Sequence, residues 1–178
     1  KGTVCNRLSK EFGYEHISTG DILREEKRKK TKVGLMAERI SDAGGYMPDE
    51  IVISLVKERI INSENKIGFL FDGFPRTIAQ AEALDAFLNE KNVDVTALIA
   101  LDVPDEELVV RLLNRGQSSG RADDTDENII RNRIAVYKAE TAQVFDYYAK
   151  SGKSKLISGV GSKEDIFARL VDVIDQSC

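Results

Sequence analysis

The chain has 178 residues, a net charge of −4, and 42% hydrophobic against 31% charged residues, the balance of one globular domain with a substantial core. No apolar stretch nears the roughly 18 residues that span a bilayer, and the acidic balance gives no general electrostatic reason for binding nucleic acid. A protein without membrane or nucleic-acid partners is therefore expected, and a nucleotide site would need locally placed cations. Cys5 and Cys178 stand at opposite ends of the sequence, which suggests neither a disulfide framework nor a zinc cluster and fits a reduced, cytoplasmic setting.

Val4, Cys5, Leu8 and Phe12 recur at helical spacing directly after Lys1-Gly2-Thr3, predicting a first helix that starts at a phosphate loop. Residues 18–47 read as a helical, charge-rich stretch and a small inserted lobe, ending near Gly44-Gly45 and Pro48. A helix over 49–61 feeds a strand over 67–71. A second strand is predicted over 97–102, and Ala81, Leu84, Phe87 and Leu88 mark the amphipathic helix between the two strands, a βαβ crossover. Leu108, Leu112 and Leu113 mark the next helix, predicted to end at Gly116 in the polar turn Gln117-Ser118-Ser119-Gly120. A long helix over 125–150, capped by Asp124 or Thr125, carries Ile130, Ile134, Tyr137, Thr141, Val144 and Tyr148 at alternating fours and threes. A short strand over 155–157 precedes a last helix with Phe167, Leu170, Val171 and Ile174 on one face. Strands alternating with helices predict an α/β fold with a parallel sheet covered on both faces.

Lys1-Gly2-Thr3 matches the tail of the phosphate-loop pattern G-x-x-x-x-G-K-[ST], whose glycines let backbone N–H groups wrap phosphate oxygens and here would precede Lys1. Alone it is a weak signal, since any surface helix could begin so. Its partner is the run Ile67-Gly68-Phe69-Leu70-Phe71-Asp72-Gly73-Phe74-Pro75-Arg76-Thr77: a buried strand ending in an acid, a tight glycine turn, then an arginine. In phosphate-loop enzymes the Lys reaches the β and γ phosphates, the Thr hydroxyl ligates Mg²⁺ and a strand-end acid holds the ion's water shell. Asp72 stands where that acid belongs, although a strand-ending turn or cap would also account for an Asp there.

Three segments, His16-Ile17-Ser18-Thr19-Gly20-Asp21-Ile22-Leu23-Arg24, Asp72 to Thr77 with Gln80, and Asn114-Arg115-Gly116-Gln117-Ser118-Ser119-Gly120-Arg121-Ala122-Asp123-Asp124, occur in the order and spacing of the adenylate kinases. The chain resembles their short-lid form throughout its length. The resemblance implies a single kinase domain over 1–178 with a P-loop-type core, an AMP-binding lobe over 18–47 and a short lid over 115–124. It implies transfer of a phosphoryl group from MgATP to AMP, giving two ADP, with ATP, AMP and ADP as the partners of a monomer. Thr19, Arg24, Gly73, Phe74, Pro75, Arg76 and Gln80 match AMP contacts, and Gly45-Tyr46-Met47 match a backbone stretch beside the adenine. Lys1, Gly2, Thr3, Arg111 and Arg115 match the ATP side, and Gly161 a backbone contact to the ATP base. Arg121 and Arg133 match phosphate contacts near the point of transfer, where Lys1, Arg76 and Arg115 also act. Thr3 and Asp72 would hold Mg²⁺, Asp72 through water. A strand and glycine loop are expected ahead of Lys1, the strand at the sheet centre.

Chemistry explains the arginines independently of the resemblance, because planar guanidinium forks bind phosphate oxygens bidentately and stay charged at physiological pH. The attacking AMP oxygen is already ionised, so no general base is required; positioning and charge neutralisation carry the catalysis. His16 is accordingly read as structural. Arg28 and Arg169 read as surface residues, and the basic run 27–32 as a solvated helix face or an attractor of anionic substrates. Asp123 and Asp124 either pair with lid arginines or cap the next helix. No cysteine lies near the lid turn, so the structural zinc of long-lid relatives is not expected. Val4 stands where a Gln is common, and Tyr46-Met47 replace an aliphatic pair. A UMP/CMP kinase is the nearest alternative, disfavoured by Thr77-Ile78-Ala79-Gln80, and a catalytically silent nucleotide-binding protein is the alternative from another class.

Overall fold

The computed structural model describes residues 2–42, 44–64, 67–119 and 121–177. Helix α1 (Gly2–Phe12) buries Val4 and Leu8, one turn apart, against Ile166, Phe167, Leu170 and Ile174 of α9 (Lys163–Ser177). The i, i+4 spacing supplies the matching stripes. Val4, the departure from the family's common Gln, is thus a core residue here. Gly13, at φ 70°, turns the chain into β1 (Glu15–Ser18). The sequence pattern gives no sign of this strand, because Glu15-His16-Ile17-Ser18 has a single aliphatic residue; its pairing makes it a strand.

β1 lies parallel to β2 (Phe69–Asp72), with Ser18 opposite Asp72. β3 (Leu98–Asp102) lies parallel to β4 (Ser154–Ser158). Helix α5 (Ile78–Asn89) joins β2 to β3, yet these strands do not pair among the described residues. The single sheet expected from the βαβ pattern is instead two parallel pairs, and the crossover links one pair to the other. Helices cover both faces. Phe69 and Phe71 pack with Ile17, Val56, Phe74, Leu84 and Phe87, whereas Leu70 joins Ile99, Leu101 and the α1–α9 cluster, the alternation that a strand's two-residue period dictates.

Between β1 and β2 the chain makes α2 (Thr19–Lys29), α3 (Lys32–Asp42) and α4 (Asp49–Ile61). Ser18 caps α2 by accepting from Asp21 N at 3.2 Å, and Lys30, at φ 53°, turns the chain into α3. After β3, α6 (Asp105–Ser119) runs through Gly116 instead of ending there. A Cβ on Gly116 would stand 2.5 Å from the Asp124 carbonyl oxygen, so this glycine serves close packing against the 3-10 turn Ala122–Asp124. Asp126, not Asp124 or Thr125, caps α7 (Glu127–Val136), accepting from Asn128 N at 2.7 Å. The helix predicted over 125–150 is interrupted: a π turn (Tyr137–Thr141) separates α7 from α8 (Ala142–Ala149).

Candidate active site

The site is built at the C-terminal ends of β1 and β2, where Ser18 and Asp72 hand the chain to α2 and to the Gly73 turn. Gly73 has φ 78°, and a Cβ there would meet Arg76 Nη2 at 2.9 Å and Thr19 Oγ1 at 3.0 Å. Only glycine admits both neighbours in that conformation. Its carbonyl accepts from Thr19 Oγ1 at 3.0 Å and from Arg76 Nε at 2.8 Å. Phe74, joined to Pro75 by a cis peptide bond, is buried in the core.

Arg76 is held from several sides. Its backbone N donates to Gln80 Oε1 at 2.8 Å, and Gln80 Nε2 donates to Asp49 Oδ1 at 2.7 Å. Gln80 is 2% exposed, and a side-chain amide has one more N–H and one more lone pair than these bonds use. The Arg76 guanidinium lies 5.0 Å from the centre of the Tyr46 ring, within cation–π range. Thr141 Oγ1 donates to Arg76 O at 2.9 Å and pairs with Tyr46 OH at 2.9 Å. Tyr46 and Thr141 are thus parts of the site that sequence reasoning did not assign to Arg76. A π turn, which recurs at functional sites, was the missing signal. Burial, then the nearby Tyr46, raises the Tyr137 pKa, with Arg76 opposing.

Asp124 ties α6 to α7. Arg115 forks onto it, Nε to Oδ2 at 2.6 Å and Nη2 to Oδ1 at 2.9 Å, while Arg133 Nη1 reaches Asp124 Oδ1 at 2.7 Å and Asp123 Oδ2 at 3.0 Å. Asp124 is fully buried. Burial opposes its ionisation, but the hydrogen bonds and charges of Arg115 and Arg133 outweigh that and hold its pKa below the ordinary value. Of the two readings of this acidic pair, pairing with arginines is the one realised. Arg121, half-buried, has its pKa lowered by burial and then by repulsion from Arg24 and Arg115, with Asp124 and Asp123 partly compensating. Guanidinium groups from α2, α6 and the lid therefore converge on one region.

On the opposite side of the cleft, Gly2 opens α1 so close to β2 that a Cβ on it would lie 3.9 Å from Asp72 Oδ2. The two landmarks of the sequence meet in space. Thr3 is exposed in the first turn of α1, and Lys1 lies outside the described residues, as does Gly120. Arg24 pairs with Asp21 at 2.5 Å, and Arg111 with Glu107 and with Gly159 O at 2.9 Å. Arg169, read from sequence as a surface residue, braces the loop before Gly161 by donating to Ser158 O at 2.9 Å and Val160 O at 2.6 Å. Gly161 holds φ 115°, with Asp165 Oδ2 3.1 Å from the position of a Cβ. Gly2, Thr3, Thr19, Arg24, Gly45, Tyr46, Met47, Asp72, Gly73, Phe74, Pro75, Arg76, Gln80, Arg111, Arg115, Arg121, Arg133 and Gly161 all line one wide opening, which also takes in apolar residues of α1, β3 and α9 such as Leu8, Ile99, Leu101 and Leu170.

Comparison with known proteins gives the family. The family model described as adenylate kinase matches residues 1–153. The chain belongs to the adenylate kinase family. It is 45% identical over 176 residues to the adenylate kinase of Phocaeicola vulgatus, covering 99% of this chain and 93% of that protein. It is 44% identical over 175 residues to the adenylate kinase of Flavobacterium psychrophilum, covering 98% and 92%, and 42% identical over 176 residues to that of Maricaulis maris, covering 99% and 93%. Membership makes it a phosphotransferase of the α/β P-loop class. No described helix is long and apolar enough to cross a membrane.

Proposed function

We propose that this adenylate kinase catalyses the reversible reaction ATP + AMP ⇌ 2 ADP, with AMP at the Thr19–Arg76–Gln80 side of the cleft and ATP at the Gly2–Arg111–Arg115 side. The observation that carries this reading is the Gly73 turn, whose carbonyl accepts from Thr19 Oγ1 at 3.0 Å and Arg76 Nε at 2.8 Å and so sets an arginine fork beside Asp72 at the strand ends. The allocation of the two nucleotides follows the pattern of the family. Arg24 and Arg115 add positive charge around half-buried Arg121, whose pKa is lowered by burial and then by those two charges. A bound phosphate chain would offset that repulsion with charge-assisted hydrogen bonds.

The residues divide the work by position. Arg76, fixed by Gly73 O, Gln80 and Tyr46, presents a rigid fork to the AMP phosphate. Arg121 and Arg133 stabilise charge on the group in flight, and Arg115 answers from the ATP side. No side chain need remove a proton from the attacking phosphate oxygen. Mg²⁺ fits the oxygen donors present, the Thr3 hydroxyl and the Asp72 carboxylate beside Gly2. Held there by Thr3 and, through water, by Asp72, the ion would supply neutralisation of phosphate charge. The lobe over 18–47 and the lid over 115–124 would exclude water as the acceptor, so that AMP receives the phosphoryl group.

The test is ADP formation from ATP with AMP, CMP, UMP or GMP as acceptor, with and without Mg²⁺. AMP is expected to be the best acceptor and Mg²⁺ to be required. A higher kcat/KM for CMP or UMP would reassign the base specificity, and activity indifferent to Mg²⁺ would remove Thr3 and Asp72 from the reading.

A further inference from the structure

Asp72 has two neighbours that phosphoryl transfer does not use. Cys5 faces it from the first turns of α1 and His16 from β1, and the Cys5 Sγ, a His16 ring nitrogen and an Asp72 carboxylate oxygen all lie within 4.8 Å of one another. His16 is held by one side of its ring, Nδ1 standing 2.8 Å from Asn6 Oδ1. The other nitrogen, Nε2, is buried without a hydrogen-bond partner, on a side chain only 10% exposed. Asp72 Oδ2 is 3.5 Å away without completing a hydrogen bond. A buried ring nitrogen left in this way costs free energy unless something satisfies it.

We propose that Cys5, His16 and Asp72 form a binding site for a borderline-soft divalent cation of the Zn²⁺ type. Thiolate, imidazole and carboxylate are the donors zinc accepts, and three protein ligands leave a fourth position for water or a phosphate oxygen. Bonds of 2.0–2.3 Å in a tetrahedron set donor atoms roughly 3.3–3.7 Å apart, a spacing the His16–Asp72 pair already has. The thiol completes the set by approaching about an ångström, within the reach of a χ1 adjustment. The Asn6 contact fixes the ring orientation, as second partners of metal-bound histidines do. On binding, the Cys5 thiol gives its proton to solvent and the sulfur coordinates as thiolate. Mg²⁺ does not compete for this donor set, because it demands oxygen ligands. The two ions share only Asp72. Resting on the proposed Mg²⁺ role of Asp72, zinc bound here withdraws that carboxylate and inhibits phosphoryl transfer.

Cobalt(II) titration of the whole chain, without nucleotide, tests the site apart from the activity. A thiolate-to-cobalt absorption band in the near ultraviolet should saturate at one equivalent, be displaced by Zn²⁺, survive Cys178→Ser and disappear in Cys5→Ser. His16→Asn should weaken binding at least about tenfold, and it serves as the second variant should Cys5→Ser fail to fold by circular dichroism. No band, or a band that survives Cys5→Ser, overturns the site. Zn²⁺ should also slow the kinase, reversibly on chelation, in wild type but not in Cys5→Ser, each measured against its own metal-free rate. Cobalt binding in a chain that makes no ADP would sink the proposed function and leave the metal site standing, whereas ADP production without the band would do the reverse.

Discussion

Arg76 shows how a single residue is prepared for its task. Its guanidinium is anchored at Nε by Gly73 O, its backbone N by Gln80 and its backbone O by Thr141, so little rotamer freedom remains to be lost when a phosphate binds. Losing one charge-assisted fork costs on the order of 2–4 kcal/mol of transition-state stabilisation. Arg76→Ala should therefore lower kcat/KM for AMP by at least about thirtyfold, and a nearly wild-type value would take Arg76 out of the site. Asp124 is the complementary case, a buried acid whose arginine partners hold its pKa below the ordinary 3.8. A depressed carboxylate pKa contributes stability that is fully present above the unfolded value and is lost as pH falls through the lower folded value. Asp124→Asn should cost about 2–3 kcal/mol near neutrality, and acid titrations of the two proteins should converge below pH 3.8. A gap that persists undiminished at pH 2 would show that the charge of Asp124 is not what anchors the lid. The acid and arginine motifs were legible in sequence because phosphate chemistry demands those residue types. The bracing of Arg76 by Tyr46 and Thr141 was not, since it depends on a contact between residues 95 positions apart; Tyr46 itself was expected only beside the adenine.

At the scale of elements, the sequence was a good guide where apolar residues were dense and uninterrupted. The helix over 49–61 matches α4 to the residue, and β3 and β4 lie where their short apolar runs suggest. It misled where a tertiary contact overrode local preference. β1 exists because β2 pairs with it, and the interruption at Tyr137–Thr141 coincides with the bond from Thr141 to Arg76 O. Gly116 is the sharpest instance, since glycine near the end of an apolar pattern ordinarily signals a helix stop. Here it lies within α6 because backbone atoms of Asp124 occupy the space a side chain would need. Gly116→Ala decides between the two accounts. Alanine favours a helix by about 1 kcal/mol, but forcing a methyl against backbone at 2.5 Å costs about 1–3 kcal/mol or displaces the turn. Thermal unfolding should show a lower Tm, by about 2–4 °C for each kcal/mol lost, and a raised Tm would mean that close packing is not why the glycine is there.

Across the whole molecule, a chain of net charge −4 must gather two polyanions, and in the proposed site arginines from segments far apart in sequence would do so. Arg24 lies on α2 and Arg115 on α6, and the charges of both oppose that of Arg121. The stretch over 18–47 also touches α7: a Cβ on Gly44 would meet Arg133 Cγ at 3.1 Å and Ile129 O at 3.3 Å. Segments each braced internally by an arginine–acid pair, Arg24–Asp21 in one and Arg115–Asp124 in the other, can shift as units when the charge between them changes. A bound phosphate chain supplies that change by replacing repulsion with charge-assisted hydrogen bonds to both segments, so their closed arrangement is favoured by the difference in affinity between the two states. A bisubstrate analogue, two adenosines joined through a phosphate chain, makes all these contacts at once. Hydrogen exchange in its presence should slow over both 19–47 and 115–124, while AMP alone should slow mainly the first segment. Unchanged exchange in both segments, with binding of the analogue established by calorimetry, would mean that the arginines receive their substrates in a site that does not close.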